Sequence, residues 1–319
     1  MRFTLTLPGL SRYPPILQPW EERLEARDFR RIAQRIDELG YDAIQVPEHV
    51  LMPRRDAEVM GAHWPHAVTA MSFLAGATER VRLNSSVVVL PLHDPRHLAK
   101  QIATLDQLSG GRVMLSVGSG HTEGEFEALG IPFRERGRRT DEALGVLHEL
   151  WTSPEPRFEG EFFSFRDVLF EPKPLQRPRP PIWVGGNSRA ALRRAARFGD
   201  GWCPWRLGPD ELRRSLIELR SLPDFGPAER RFDIWTPTSL LEVGEDHRPL
   251  AGSRSGARRP PEGRQALIDA IGRVAEAGAT WTSVPLRSTS SLEEYLDLLQ
   301  WTAEEVLPAH RDPNRPSVA

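Results

Sequence analysis

A chain of 319 residues, 39% apolar and 27% charged with a formal net charge of −2, has the composition of a globular protein with a sizeable core. That near balance of charge removes the domain-wide positive field on which a nucleic-acid binder relies. The single cysteine, Cys203, excludes an internal disulfide and any cysteine-rich metal site.

The opening MRFTLTLPGL has neither the charged head nor the long apolar centre of a secretion signal, and no apolar run approaches the roughly 18 residues of a membrane span. The expectation is a cytoplasmic protein with no membrane partner. The first strand is predicted over residues 3–7. A helix follows over 27–39, where Phe29, Ile32, Ala33, Ile36 and Leu39 recur at helical spacing. The second strand, 43–46, ends just before Glu48 and His49, a carboxylate beside an imidazole that supplies an acid and a base near neutral pH. The same pair would also serve as a rim salt bridge or a cap. His63 and His66 flank Trp64, but no carboxylate stands at ligand spacing, so a loop or surface role is the simpler reading.

The third strand is predicted over 81–90, with Asn84, Ser85 and Ser86 interrupting an apolar run. His93 and His97 follow, with Pro95 between them, which argues against a metal pair. Pro95 opens a helix over 95–108 carrying Leu98, Ile102, Leu105 and Leu108 inward, and Gly110 stops it. The fourth strand, 113–117, runs into Gly118, Ser119, Gly120 and His121, where a glycine-rich turn lets backbone approach a ligand and an imidazole is at hand. A solvated helix start follows at 135–142.

Residues 151–181 hold seven prolines and read as an excursion from the alternation, with a small hairpin at 158–165. The fifth strand, 182–184, leads through Gly185, Gly186, Asn187 and Ser188 into a helix at 188–198 whose free amides favour an anion; an ordinary N-cap fits the same residues. Further strands at 201–204, 232–243 and 280–286 alternate with helices at 209–219, 264–277 and 291–307. Trp202 is expected in the core and Trp205 nearer the rim. Residues 244–263 read as a lid or a disordered loop, and 308–319 as a frayed tail. Eight strands alternating with helices point to an α/β fold, a (β/α)8 barrel occupying 1–307, with a doubly wound open sheet as the competing topology. In such a barrel the chemistry follows the strand ends.

Several of these segments together resemble the luciferase-like monooxygenase superfamily. They are Glu48–His49, VRLNSSVVVLP at 81–91, HLAKQIATLDQLSGGR at 97–112, VGSGHTEGEFEALGIPFRERGRRTDEAL at 117–144 and PPIWVGGNSRAALRRAARFGDGW at 180–202. The resemblance runs from about residue 3 to 202 and is nearest to the branch using the deazaflavin coenzyme F420. It implies a TIM barrel with an insertion after the fourth unit, at about 152–181, and a hydride-transferring oxidoreductase acting on a small molecule, commonly as a homodimer. By resemblance, Glu48 and His49 lie beside the deazaflavin ring, with His49 as proton donor or acceptor, and Ser86–Val87 is a non-prolyl cis peptide behind one ring face. Ser119, Gly120 and His121 meet the ring and side chain of the cofactor, and Gly185, Gly186, Asn187 and Ser188 its ribityl and phosphate portion. His121 departs from the pattern, where Trp or Glu is common, and Pro65–His66 stands where relatives have Asp-Pro. An FMNH2-dependent monooxygenase and a non-catalytic cofactor-binding barrel are the alternatives. No metal is expected.

Overall fold

The computed structural model describes residues 1–227, 230–238, 263–284 and 286–311. Its strands are β1 (Arg2–Thr6), β2 (Ala43–Val46), β3 (Arg82–Ser85), β4 (Val88–Val89), β5 (Val113–Gly118), β6 (Phe158–Glu159), β7 (Ser164–Phe165), β8 (Ile182–Gly185), β9 (Gly201–Cys203), β10 (Asp233–Pro237) and β11 (Trp281–Ser283). The helices are α1 (Ala26–Glu38), α2 (Arg54–Met60), α3 (Ala67–Ala75), α4 (Pro95–Leu108), α5 (Glu123–Ala128), α6 (Arg136–Thr152), α7 (Arg189–Phe198), α8 (Pro209–Ser221), α9 (Arg264–Glu276) and α10 (Leu292–Glu305).

Nine strands form one sheet in the order β3-β2-β1-β11-β10-β9-β8-β5-β4, and an additional pairing of β3 with β5 closes it. β3 and β4 are successive pieces of one stave, so the closed sheet is an eight-stave parallel barrel. The closure overturns the open-sheet alternative: in an open sheet β3 would be an edge, whereas Leu83 and Asn84 pair with Val113 and Met114.

Alternation along each stave builds two cores. Phe3 and Leu5 of β1 face outward into the large layer between barrel and helices. Thr4 between them accepts a 2.9 Å hydrogen bond from the Trp235 indole. Met114, Trp183, Cys203, Trp235 and Trp281 form a separate buried cluster with Ala43. Trp202 is fully buried as expected, while Trp205 is 46% exposed on the rim.

Helix α4 shows how local sequence sets an element. Asp94 caps it by accepting from the Arg96 amide at 2.9 Å, and Pro95 occupies the first turn, where no amide partner is needed. Leu98, Ala99, Ile102, Ala103 and Leu105 are buried along one face, each large side chain contributing about 1.5–3 kcal/mol on burial. Leu108 is the exception to the predicted stripe, 80% exposed at the helix end. Helix α3 carries no periodic signal, because AVTAMSFLA is apolar almost all round.

The third stave departs from the continuous strand predicted over 81–90. It breaks after Ser85 at a cis Ser86–Val87 peptide, resumes as β4, and turns into a short 3-10 helix over Leu90–Leu92. The excursion after α6 contains the hairpin, β6 pairing antiparallel with β7 and Phe158 stacking on Phe165. Gln176 ties this segment down, its amide and carboxamide both donating to the buried Asp106 carboxylate at 2.9 and 2.7 Å. Of the seventh predicted strand, β10 is seen to Pro237, and the 244–263 loop lies outside the described residues except Gly263. In the 308–319 tail, the His310 ring and the Arg311 guanidinium reach the carbonyls of Ile268 and Gly40, and residues 312–319 lie outside the described residues. Among the described residues no helix is long and apolar enough to cross a membrane.

Candidate active site

The ends of β2, β3, β5 and β8 gather the predicted site residues at one mouth of the barrel. Glu48 and His49, adjacent in the chain, turn to different partners. The Nδ1 of His49 lies 2.9 Å from Oε2 of Glu125, in the first turn of α5. The other oxygen of Glu125 accepts from the Val50 and Leu51 amides at 2.6 and 3.2 Å. A carboxylate in that position accepts, so Nδ1 carries the proton and Nε2 holds the ring's lone pair. The His49 and Glu125 side chains are 8% and 2% exposed, so the pair is shielded from bulk water.

Glu48 is bonded to other segments. Its Oε1 lies 2.5 Å from His93 Nε2, and its Oε2 accepts from the Ala67 amide at 2.9 Å. Burial pushes the Glu48 carboxyl up. The His93 hydrogen bond and charge, the Ala67 amide and the charge of His66 outweigh burial and hold it below the ordinary carboxylate value. Its place at the start of α3 corresponds to the capping reading of the sequence; with both oxygens engaged and the side chain fully buried, Glu48 anchors the loop.

His121 is exposed, with its ring centroid 6.1 Å from that of His49 in an edge-to-face arrangement. Trp64 lies against His49 at 4.8 Å, and Tyr13 lies 6.3 Å from Trp64, so an aromatic wall closes one side of the mouth. His66 is the N-cap of α3, and Trp64 donates to the Gly61 carbonyl. Among the described residues no three His, Cys, Asp or Glu are grouped to hold a metal.

Ser86 and Val87 are half-buried at the mouth, on the cis peptide. The Val87 side chain sits between two glycines: a Cβ on Gly118 would come within 2.9 Å of it, and one on Gly185 within 3.3 Å. Gly120, at φ +78°, leaves still less room, since a Cβ there would stand 2.7 Å from both Phe126 and Val89. These contacts show why the three positions are glycine: the Val87, Val89 and Phe126 side chains occupy the space that a Cβ would need. Ser119 is held by Arg194 and Thr140, each at 3.2 Å.

At the start of α7, Ser188 Oγ accepts from the Ala191 amide at 3.2 Å, the ordinary cap that the sequence also allowed. The Asn187 carboxamide is engaged by the Trp205 backbone in both directions, at 2.5 and 2.7 Å, tying this turn to the loop after β9. With the Asn187 and Ser188 side chains engaged, this turn is left with the backbone of Gly185 and Gly186 and the positive end of the α7 dipole.

Two residues central to this geometry escape sequence reading. Glu125 stands among three alternating acids, Glu123, Glu125 and Glu127, and only the docking of α5 buries the middle one. His93 carried a signal as a histidine after a strand, but its partner lies 45 residues away.

A closed parallel barrel thus sets a carboxylate-held imidazole beside a glycine-lined mouth. The profile of the luciferase-like monooxygenases matches residues 3–246, and the chain belongs to that family. It is 39% identical over 175 residues to an FMNH2-dependent dimethylsulfone monooxygenase of Pseudomonas putida, covering 54% of this chain and 46% of that one. It is 32% identical over 185 residues to an F420-dependent glucose-6-phosphate dehydrogenase of Amycolatopsis mediterranei, covering 57% and 54%. The chain thus spans about half the length of these curated relatives. The fold also matches the monooxygenase RslO1 of Streptomyces bottropensis, with TM-score 0.75, 26% identity and coverage of 98% and 100%.

Proposed function

We propose that this chain is an F420-dependent oxidoreductase that moves a hydride between the deazaflavin and a small organic substrate. The observation that carries the reading is the His49–Glu125 pair, which leaves a single proton-handling nitrogen inside a shielded mouth. Ser86, Val87, Ser119 and Gly120 would hold the ring, and Gly185, Gly186 and the amides at the start of α7 its phosphate-bearing tail. Bound F420 supplies a two-electron hydride acceptor or donor that reacts poorly with oxygen.

The chain's own residues balance that hydride with a proton. His49 takes or gives it at Nε2, while Glu125 holds the ring through Nδ1. Exposed His121, edge-on to His49, passes the proton to and from solvent. Trp64 and Tyr13 keep water from that side and offer an aromatic surface to an apolar substrate.

A second reading, an FMNH2-dependent monooxygenase, is favoured by the 39% identity to the dimethylsulfone monooxygenase. Fluorescence titration of the purified protein with F420 and with FMN, combined with an oxygen electrode, separates the two. F420 binding without oxygen uptake supports the first reading. Tight FMN binding, no F420 binding and oxygen uptake with reduced FMN replace it with the second.

A further inference from the structure

We infer that His93 is a positioning residue for this site: through the buried carboxylate of Glu48 it holds the end of β2, and so the backbone of His49, in its working place. The inference rests on the reading of His49 as the proton-handling residue.

Glu48 joins three segments through one carboxylate. It leaves the end of β2, takes the Ala67 amide at the start of α3 at 2.9 Å, and meets His93 Nε2 at 2.5 Å. The Glu48 side chain is 0% exposed and that of His93 11%, so neither oxygen finds water in place of its partner. A carboxylate buried without its donors is strongly unfavourable, and loss of the imidazole would drive the loop to move until the charge is solvated. His93 is itself fixed, its amide donating to Leu90 at 3.2 Å and its ring edge-on to His66 at 5.8 Å. On the far side of His49, Glu125 takes the imidazole and the next two amides. His49 is therefore clamped between two buried carboxylates, and among the described residues His93 is the only side chain hydrogen-bonded to the first of them.

The test compares H93A, H93Q and E48Q in the full chain by nitrogen-15 NMR of labelled histidines, thermal melting and steady-state kinetics. Nitrogen NMR needs neither cofactor nor substrate, so it is decided even where the F420 reading fails. In H93A the His49 resonances are expected to shift or broaden, and kcat to fall about 10-fold or more with KM little changed. H93Q, whose carboxamide still donates to Glu48, should restore both. Wild-type His49 resonances in H93A overturn the proposal, as does an H93Q variant as perturbed as H93A. Where H93A does not fold, H93Q against E48Q decides: wild-type His49 signals in the first and altered signals in the second support it, and any other pattern overturns it.

Discussion

The Nδ1 of His49 and the Oε2 of Glu125 lie 2.9 Å apart, and the same carboxylate takes the two amides that follow His49 in the chain. One buried side chain from α5 thereby sets both the tautomer of the imidazole and the course of the loop that carries it. Glu125→Gln has only one oxygen to serve three donors, so its amide must face the ring or the backbone. Turnover is expected to fall about 100-fold, in the range of general acid–base contributions. Steady-state kinetics with a melting curve check this, and unchanged kcat refutes the assigned role.

His49→Ala removes the proton-handling nitrogen and one donor to the buried Glu125 carboxylate, which keeps the Val50 and Leu51 amides. The expected loss is about 10²–10⁴-fold in kcat with a far smaller effect on the unfolding midpoint. Parallel loss of activity and stability would instead make His49 a structural histidine.

Gly120→Ala combines a φ of +78° with a Cβ 2.7 Å from Phe126 and Val89. Strain and overpacking together should cost about 1–4 kcal/mol in denaturant unfolding. A variant as stable as the parent would show that the loop relaxes freely.

Asn187→Ala cuts both bonds to the Trp205 backbone, at 2.5 and 2.7 Å. Losing the pair should cost about 1–3 kcal/mol, felt mainly as weaker cofactor binding because two mouth loops separate. Fluorescence titration measures it, and an affinity equal to wild type speaks against a shared cradle.

The depressed carboxyl of Glu48 fixes a sign for the pH dependence. A folded-state value below the unfolded one means that its stabilisation is fully present above the ordinary carboxylate range. It is lost as pH falls through the folded value. The unfolding midpoint should therefore decline below about pH 4.5 and decline less steeply in Glu48→Gln. Equal slopes in the two proteins would remove Glu48 as the cause.

Much of this was legible in the residues. Short apolar runs placed the staves and apolar residues at helical spacing most of the helices, because burial leaves a local signature. Gly118, Gly120 and Gly185 marked the strand ends because close approach there requires a missing Cβ, and Gly186 because its φ is +110°. The resemblance that named the family also anticipated the cis Ser86–Val87 peptide, which the structure contains. Helix α3 was hidden because an element apolar on all sides has no period to read.

Sequence alone thus determined an alternation of strands and helices with candidate residues after the strand ends, and the closed barrel was decided by the pairing of β3 with β5. Tertiary structure decided how the neighbours Glu48 and His49 divide their work. Glu48 turns inward to His93, and His49 is aimed by Glu125, across separations of 45 and 76 residues. Local pattern reports which faces are buried, but the partner of a buried charge is chosen by which loops the closed barrel brings together.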